Sequence, residues 1–317
     1  MNEYDLVKVS SFDNIRKTCW LRLHWSSEIY SYGRLLREYS NYPKFLPLAV
    51  KSDHSGPNFN TVYTDVELPY EVEYYLGHNH QKNLEHNSKF GFNKFVTVIS
   101  PFVFFRRKYN INYNPNNIGT IAFPIHSDQN VNRSGYFNAY LDDLHKLDSQ
   151  FQPITICLHQ HDILNGNYKQ FLDKGFNIVT VGNTHNEGFV ERFYSLVSKY
   201  KYITSNLPST ITFLAIEMKA PFFFYGNSVV KPSLIPKDEF KLNPIYFQLL
   251  NLLSLNNDNK ITQLPDEIVS KIENMLGVND TISPRQLLFL LYKSLFFWLM
   301  KGYFILWFIK RIKIYLK

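Results

Sequence analysis

The stretch GTIAFPIHS, residues 119–127, is an apolar run that ends in polar residues, and it opens a regular pattern. Similar apolar runs follow it, and segments with helical periodicity separate them. The later predicted strands are ITICLH (154–159), NIVTVG (177–182), YITSN (202–206) and PFFFYG (221–226). The predicted helices are 136–147, 164–175, 187–200 and 208–219. Short apolar strands that alternate with helices predict βαβ units and a parallel, doubly wound sheet.

Upstream of this stretch the pattern is less regular. Residues 27–41 predict a helix, and the apolar runs 46–50 and 95–100 predict strands. An Asn-rich linker, residues 110–119, separates the two halves. We therefore predict an α/β protein with two Rossmann-like domains that face a cleft, followed by a C-terminal helical tail. The predicted boundaries are 1–112 for the first domain, 118–260 for the second and 261–317 for the helical region.

The net charge of +7 is concentrated at the C-terminus. Residues 281–317 contain seven basic and no acidic residues, so residues 1–280 sum to zero. A nucleic-acid-binding protein normally spreads basic charge over its folded body, so this distribution argues against nucleic acid as a partner. The two cysteines cannot form a disulfide framework, which favours a reducing cytosolic compartment. The N-terminal sequence MNEYDLVKVSSF lacks the pattern of a secretory signal, so we expect a cytoplasmic protein.

Candidate site residues follow the predicted strands of the second half. Because the carboxyl ends of parallel strands meet at one edge of a sheet, we expect these side chains to line a ligand site. Loops are polar in most proteins, so a purely structural role is the alternative. The candidates are His126, Ser127, Gly182, His185, Ser205 and Asn206.

The segment after residue 206 leads from a turn into a predicted helix. Pro208 lies near the first helical position, and Ser209 and Thr210 place hydroxyl groups in the first turn. Free backbone amides and the helix dipole bind phosphate well at such a position. Simple capping of the helix by a hydroxyl group is the alternative.

Two residues are candidates for acid–base chemistry. His126 follows an apolar strand and has an imidazole whose ordinary pKa suits a general acid or a phosphate ligand. Asp53 follows an apolar run of the first half and could act as a base from the other side of the cleft, although a solvated loop aspartate fits equally well. His159, His161 and Asp162 have the spacing of metal ligands, but no second ligand cluster supports zinc. The chain has no GxGxxG, Walker A or GxSxG motif, which disfavours NAD enzymes, P-loop ATPases and α/β-hydrolases.

The second half resembles GT-B glycosyltransferase-like proteins of bacterial surface polysaccharide and lipopolysaccharide biosynthesis. The stretches that carry the resemblance are residues 119–127, 153–163, 175–206 and 209–226. A narrower similarity is to bacterial GT-B sialyltransferases, in which an acidic base, a histidine before proline and a pair of hydroxyls come in this order. Here the order is Asp53, His126 and the hydroxyls of Ser205, Ser209 and Thr210. The layout is also similar to teichoic-acid glycerophosphotransferases, which use CDP-activated polyol phosphates.

The resemblance implies transfer of a sugar from a nucleotide-activated donor, with CMP-sugars such as sialic acid favoured, to a glycan or lipid-linked acceptor. It implies that Asp53 deprotonates the acceptor hydroxyl, and that His126 with Ser205, Ser209 and Thr210 stabilises the leaving phosphate. Ser127, Gly182, His185 and Asn206 are expected to complete the nucleotide site. No metal or other cofactor is required by this class. The alternatives are a CDP-polyol phosphotransferase and a non-catalytic membrane-docked assembly protein on the same fold.

Residues 284–317 predict a membrane-binding helix. Ser283 and Pro284 are a cap and first-turn pair, and the helix can run to about residue 316. Six of the seven basic residues fall within an arc of about 200°, and the facing arc is apolar, with Lys313 as its only charge. A basic amphipathic helix of this kind is typical of an anchor on an anionic membrane, here the inner face of the cytoplasmic membrane. Packing of the helix on the protein body is the alternative.

Overall fold

The computed structural model describes residues 2–12, 21–54, 72–91, 93–128, 132–226, 244–255 and 259–302. Its strands, in chain order, are β1 (Lys51–Ser52), β2 (Tyr75–Gly77), β3 (Phe95–Thr97), β4 (Thr120–Phe123), β5 (Ile154–Leu158), β6 (Asn177–Thr180), β7 (Tyr202–Ser205) and β8 (Phe222–Phe224). Its first six α-helices are α1 (Glu3–Ser10), α2 (Tyr32–Ser40), α3 (His80–Phe90), α4 (Pro101–Lys108), α5 (Phe137–His145) and α6 (Gln160–Leu164). The others are α7 (Tyr168–Asp173), α8 (Phe189–Val197), α9 (Thr210–Glu217), α10 (Pro244–Leu253), α11 (Asp266–Met275) and α12 (Pro284–Met300).

The strands form two parallel sheets, so the predicted α/β class with parallel sheets is confirmed. The first has the order β1-β2-β3 and the second has the order β6-β5-β4-β7-β8. In the second sheet Thr120 of β4 pairs with Ile154 on one side and with Tyr202 on the other. The chain runs outward from β4 to β6 and then returns to add β7 and β8 on the opposite side. The sheet therefore has its topological switch point between β4 and β7.

Helices cover both faces of the second sheet, which explains why its strands are continuous apolar runs. Every residue of β4 is buried, and alternate side chains enter different cores. Ile121 and Phe123 belong to a core that includes α8 and α9, whereas Ala122 belongs to a second core with α5 and α7. The first of these cores also includes residues of α2 and α4, so it is continuous with the first half of the chain.

Charged residues also connect the two halves. Arg106 of α4 donates from Nε to Glu217 Oε2 of α9 at 2.7 Å, and Arg107 donates to Oε1 of the same carboxylate at 2.9 Å. The Glu217 side chain has no exposed surface, and both of its oxygens accept hydrogen bonds from guanidinium groups. Burial of this carboxylate is compatible with its charge because both oxygens are paired.

The N-terminal helix packs on the second half. Leu6 of α1 is 1% exposed and lies in the core that contains α5 and α7. At the end of this helix, Asn183 donates from its backbone nitrogen to the Val9 oxygen at 3.0 Å. The Asn183 side chain donates to the Ser10 oxygen at 3.1 Å. The predicted boundary at residue 112 remains a prediction.

Two predicted helices differ from the observed ones. The helix predicted over 27–41 begins only at Tyr32, because Tyr30 and Ser31 have positive φ angles of 51° and 63°. The helix predicted over 164–175 is observed only as α7 over Tyr168–Asp173, and Leu164 instead ends the short helix α6. Gly166, with a φ of 76°, lies between them and breaks the helical path.

The C-terminal helix begins where the sequence predicts. The Ser283 hydroxyl and the Gln286 side chain form a reciprocal capping box, and Pro284 occupies the first turn. The helix ends at Met300, and Gly302 has a φ of 68°, so the prediction of a continuous helix is wrong at residues 301 and 302. The rest of the predicted helix, residues 303–317, lies outside the described residues.

One face of α12 packs on the protein body. Leu287 and Leu291 are 0% and 1% exposed and lie in a core with Leu36 of α2. The apolar arc that the sequence assigns to the membrane is thus buried against the first half over the described part of the helix. Within the described residues, no helix combines the length and the apolar character that a membrane span requires.

Candidate functional site

The loops that follow β4 and β7 meet at the switch point of the second sheet. The Ile125 backbone nitrogen, in the loop after β4, donates to Asn206 Oδ1, in the loop after β7, at 2.9 Å. Asn206 is 2% exposed, so its side chain spans the two loops from inside the protein. Ligands of open parallel sheets bind in the crevice at this position. The predicted residues His126 and Asn206 therefore both lie at the switch-point crevice.

His126 is held by a stacked pair of imidazole rings. Its ring lies on that of His159, at the end of β5, with centroids 4.2 Å apart and an interplanar angle of 22°. His126 is exposed, whereas His159 beneath it is half-buried. His126 Nδ1 lies 2.8 Å from the Ser127 carbonyl oxygen, which can only accept a hydrogen bond. Nδ1 therefore carries the proton, and Nε2 is left to act on a ligand.

The environment keeps the lower ring neutral. Burial moves the pKa of His159 well below 6.5, and the neighbouring rings of His126 and His161 add to this shift. Burial also lowers the pKa of His161, whose ring centroid lies 5.1 Å from that of His159. A neutral His159 can support the His126 ring without placing a buried positive charge under it.

A buried carboxylate shapes the loop that carries His126. Asp162 has no exposed surface, and its two oxygens accept from the Ser127 backbone nitrogen at 3.3 and 3.2 Å. The Asn167 side chain donates to the same carboxylate at 3.0 Å. The Ser127 hydroxyl accepts from the Arg133 backbone nitrogen at 2.9 Å, so Ser127 also has a loop-forming role. Among the described residues, no group of three or more histidine, cysteine or acidic side chains is arranged to hold a metal ion.

The hydroxyl groups predicted to bind phosphate make local hydrogen bonds. Ser205 Oγ donates to the Leu207 oxygen at 2.9 Å and closes its own turn. The Ser209 backbone nitrogen donates to Thr212 Oγ1 at 3.1 Å, as part of a capping box at the start of α9. Thr210 is the first residue of that helix and is half-buried. The helix start lies at the switch point, but Ser205 and Ser209 serve the turn and the cap.

Gly182 and His185 lie under the N-terminal segment. Gly182 has a φ of 87°, and a Cβ atom there would come within 2.4 Å of the Val9 side chain. Glycine is therefore required both by the backbone conformation and by the close approach of α1. The His185 ring lies 5.8 Å from that of Phe12, and its carbonyl oxygen accepts from Arg22 Nη2 at 3.1 Å.

The predicted base lies in a second cluster, at the carboxyl edge of the first sheet. Asp53 follows β1, is 5% exposed and donates from its backbone nitrogen to the Leu76 oxygen at 2.7 Å. Burial lowers the pKa values of His78 and Lys82, and the negative charge of Asp53 opposes both shifts. Burial also raises the pKa of Tyr32 far above 10, and Asp53 adds to that shift. The two predicted catalytic residues thus belong to different clusters, one at the edge of each sheet.

Four residues of these clusters were not predicted as site residues. His78 and Lys82 follow β2 in the run HNHQK, and a search of this strand end for polar residues would have found them. The sequence places His159 and His161 at the end of a predicted strand and gives them the spacing of metal ligands, but it does not identify them as part of the nucleotide site. Stacking of His159 on His126 depends on the adjacency of β4 and β5, which sequence spacing does not reveal.

A large cavity lies away from both clusters. Its volume is about 930 Å³, and its lining includes Tyr202 and Phe222, the first residues of β7 and β8. It therefore opens at the amino edge of the second sheet. Ligands of parallel sheets bind at the carboxyl edge, so the size of this cavity does not make it the candidate site.

No protein-family model matches the chain, and no curated protein matches its sequence. Among solved structures, the wall teichoic acid polymerase TagF aligns over 94% of this chain and 94% of its own, with 12% identity and a TM-score of 0.45. A single-residue variant of TagF aligns over 81% and 70%, with 15% identity and a TM-score of 0.44. The same variant after a 30-minute soak with CDPG aligns over 81% and 69%, with 14% identity and a TM-score of 0.42.

Proposed function

We propose that the chain is a transferase that takes a group from a nucleotide-activated donor and that the donor phosphate binds beside His126. The observation that carries the proposal is the exposed imidazole of His126, stacked at 4.2 Å on the half-buried ring of His159 at the switch point. The position is where open parallel sheets bind nucleotides, and the ring has a nitrogen directed away from its backbone contact. The two-domain GT-B arrangement with a cleft between the sheets is part of this proposal.

The chemistry follows from the groups at the crevice. A protonated His126 donates a hydrogen bond from Nε2 to a phosphate oxygen of the leaving nucleotide and offsets its developing charge. The positive end of the α9 dipole acts in the same direction. In the proposed step, an acceptor hydroxyl oxygen attacks the donor, the bond to the leaving nucleotide breaks, and Asp53 takes the hydroxyl proton. The step needs no metal ion, and chelation is expected to leave nucleotide binding unchanged.

Between the donor classes, we propose a CDP-activated polyol phosphate rather than a CMP-sugar. Sequence departures from the sialyltransferase pattern support this choice. Ser127 follows His126 where that pattern has proline, and Asp53 begins Asp-His-Ser-Gly in place of paired acids before glycine. With a CDP-polyol, the acceptor oxygen attacks the phosphorus next to the polyol and CMP leaves. The proposed acceptor is a glycan or a lipid-linked polymer of the cell surface.

Calorimetric titration with CDP-glycerol, CMP, UDP and GDP tests the proposal. We expect micromolar-class binding of the cytidine nucleotides only. His126→Ala should weaken this binding at least ten-fold and leave the melting temperature nearly unchanged, because the ring is exposed. His145→Ala removes an exposed imidazole from α5 and is the matched control. If none of the four compounds binds, the result would instead favour a non-catalytic assembly protein.

We also propose that the protein docks on the anionic inner face of the cytoplasmic membrane through α12. The outward face of this helix exposes Phe289 and Phe296, which are 67% and 64% exposed. Arg285 and Lys293 are exposed on the same helix, and residues 284–300 contain no acidic residue. Large exposed aromatic side chains with basic neighbours are typical of interfacial helices. The face proposed to bind lipid is therefore opposite to the one that the sequence pattern indicates.

A further inference from the structure

A smaller cavity, of about 370 Å³, lies near Asp53 at the carboxyl edge of the first sheet. The first turn of α3 forms one wall and supplies Asn79, Gln81 and Lys82. The last turn of α11 forms the opposite wall and supplies Lys271 and Asn274. The volume is in the range of small-molecule sites, which begin at about 300 Å³. We refer to this cavity as the α3–α11 cleft.

The α11 wall of the cleft is fixed to the sheet by backbone contacts. Gly277, directly after α11, has a φ of 73°, and a Cβ atom there would come within 2.6 Å of the Val98 oxygen. The Ser100 nitrogen donates to the Leu276 oxygen at 2.9 Å, and the Ile282 nitrogen donates to the Thr97 oxygen at 3.0 Å. The segment that follows α11 therefore adds to the strand ends of the first half. Because both walls rest on the same strand ends, the cleft is preformed.

The formal charges of the lysine and acidic side chains that line the cleft cancel. Lys82 and Lys271 contribute two ammonium groups, and Glu85 and Asp280 contribute two carboxylates. His80 also lines the cleft and adds an imidazole, whose Nδ1 lies 3.1 Å from Thr97 Oγ1. This balance of charges favours neither a polyanion nor a divalent cation as the ligand. The cleft does present both donors and acceptors to a ligand.

Hydrogen-bonding side chains make up most of the remaining lining. Asn79, Gln81 and Asn274 supply amide groups, and Met275 is the one apolar residue among those that line the described cleft. Such a surface gives an apolar ligand little area to bury, whereas a ligand with several hydroxyl groups can donate to the carboxylates and accept from the amides and ammonium groups. Sugars and polyols have this chemistry.

Lys82 connects the cleft to the predicted base. It is 7% exposed, and both Asp53 and Glu85 interact with its charge. Glu85 also accepts from Gln81 Nε2 at 3.2 Å, so two residues that line the cleft pair with each other next to Lys82. A ligand hydroxyl in the cleft would thus approach the cluster that contains Asp53.

We propose that the α3–α11 cleft binds an uncharged polyhydroxylated unit, a polyol or a sugar. Its identification as the acceptor subsite of a transferase rests on the proposed function, but the binding itself does not. The cleft is separate from the switch-point crevice, since its walls come from α3 and α11 and not from the loops after β4 and β7.

Saturation-transfer NMR on the full chain, with ribitol as the probe, tests the proposal. We expect transfer to ribitol, and weaker transfer to 1,5-pentanediol, which has the same chain length with two hydroxyl groups. Lys271→Ala and Asn274→Ala, both on exposed residues, should each weaken ribitol binding about three- to ten-fold, since each removes one hydrogen-bonding group. Lys89→Ala, at the far end of α3, is the matched control and should bind like the unchanged protein.

Three outcomes would overturn the proposal. The first is equal saturation transfer to ribitol and to pentanediol. The second is ribitol binding that is unchanged in both cleft variants. The third is displacement of ribitol by inorganic phosphate, which would indicate an anion site. A competition with CMP separates this inference from the proposed function. Ribitol binding with no CMP binding would leave the cleft assignment intact and reject the nucleotide site, whereas displacement of ribitol by CMP would place both ligands in one site.

Discussion

The two parallel sheets use polar residues in different ways at their carboxyl edges. At the second sheet, buried side chains such as Asn206 and Asp162 pair with backbone amides and hold a loop that presents one exposed imidazole. At the first sheet, ionisable groups are themselves buried, with Asp53, His78 and Lys82 at 5%, 5% and 7% exposure. The carboxyl edge of the second sheet thus consists of buried polar side chains that position the accessible His126 ring. The carboxyl edge of the first sheet is a cluster of ionisable groups that are themselves buried. Residue type at a strand end predicts that a site exists there, but burial decides what the residues do.

The largest effect on stability is expected from a buried ion pair of the first half. Arg37 and Glu28 are 1% and 5% exposed, and Arg37 Nη2 donates to Glu28 Oε1 at 2.8 Å. Glu28→Ala leaves the guanidinium charge buried without its carboxylate, so we expect a loss of about 3–5 kcal/mol of unfolding free energy. Urea denaturation at pH 7 measures it.

The control for this variant is a more accessible carboxylate on the helix that carries Arg37. The Glu38 side chain is 20% exposed and accepts from Arg34 at 3.2 Å and from Lys108 at 2.7 Å. Glu38→Ala should cost only about 1 kcal/mol, because water reaches the side chains that lose their partner. Equal losses in the two variants would show that burial of the Arg37–Glu28 pair does not raise the cost of breaking it.

A pH effect of intermediate size is expected from His24, in the first half. Burial, with a smaller contribution from Lys51, lowers its pKa from 6.5 to about 4. Above pH 6.5 the ring is neutral in both states. As the pH falls from 6.5 towards 4, the unfolded chain binds a proton that the folded chain does not bind, so stability decreases with falling pH. His24→Gln should reduce the loss of stability between pH 7 and pH 5 by roughly 2 kcal/mol.

Urea denaturation of both proteins at pH 7, 6 and 5 measures this difference. The variant is compared with the unchanged protein at each pH, so any constant cost of the substitution cancels. If the two stability curves run parallel over the whole range, His24 is not buried in a way that resists protonation, and the description of the first half as rich in buried ionisable groups loses support.

How much could be predicted differs between the two sheets for a physical reason. Strands β4, β5, β7 and β8 are buried throughout, β6 is partly buried, and helices lie between them along the chain, so the sequence alone locates all five. In the first sheet, β1 and β2 have two and three residues, which is too short for a periodic pattern, and β2 was missed. Stacking of His126 on His159 and the approach of α11 to α3 depend on tertiary contacts between distant segments. Local sequence contains no signal for them.

A smaller effect is expected from the buried polar side chains at the carboxyl edge of the second sheet. Asn206→Ala removes the acceptor for the Ile125 nitrogen and should cost about 1 kcal/mol, because Ile125 is only half-buried and water can replace part of the bond. The same change frees the loop that carries His126. The free energy of nucleotide binding should therefore fall by more than the free energy of unfolding. Calorimetric titration with CMP, alongside urea denaturation, separates the two effects. If the affinity for CMP is unchanged while the free energy of unfolding falls, the loop that carries His126 does not depend on Asn206 for its position.

The smallest effect on stability is expected from the outward face of α12, where the contrast between buried and accessible groups occurs within one helix. Leu291 is 1% exposed and packs on the first half, whereas Phe289 and Phe296 are 67% and 64% exposed. Because the two rings have few protein contacts to lose, Phe289→Ser with Phe296→Ser should change the unfolding free energy by no more than about 0.5 kcal/mol per site.

If the face binds lipid, the same double variant should sediment much less with phosphatidylglycerol vesicles, since the apolar area that enters the interface is gone. Phe45→Ser removes a ring that is 71% exposed elsewhere on the body and should sediment normally. Vesicles of phosphatidylcholine alone should bind the unchanged protein weakly, because the basic residues near the face then have no anionic partner. If the double variant and the unchanged protein sediment equally with the vesicles, the outward face of α12 does not bind the membrane.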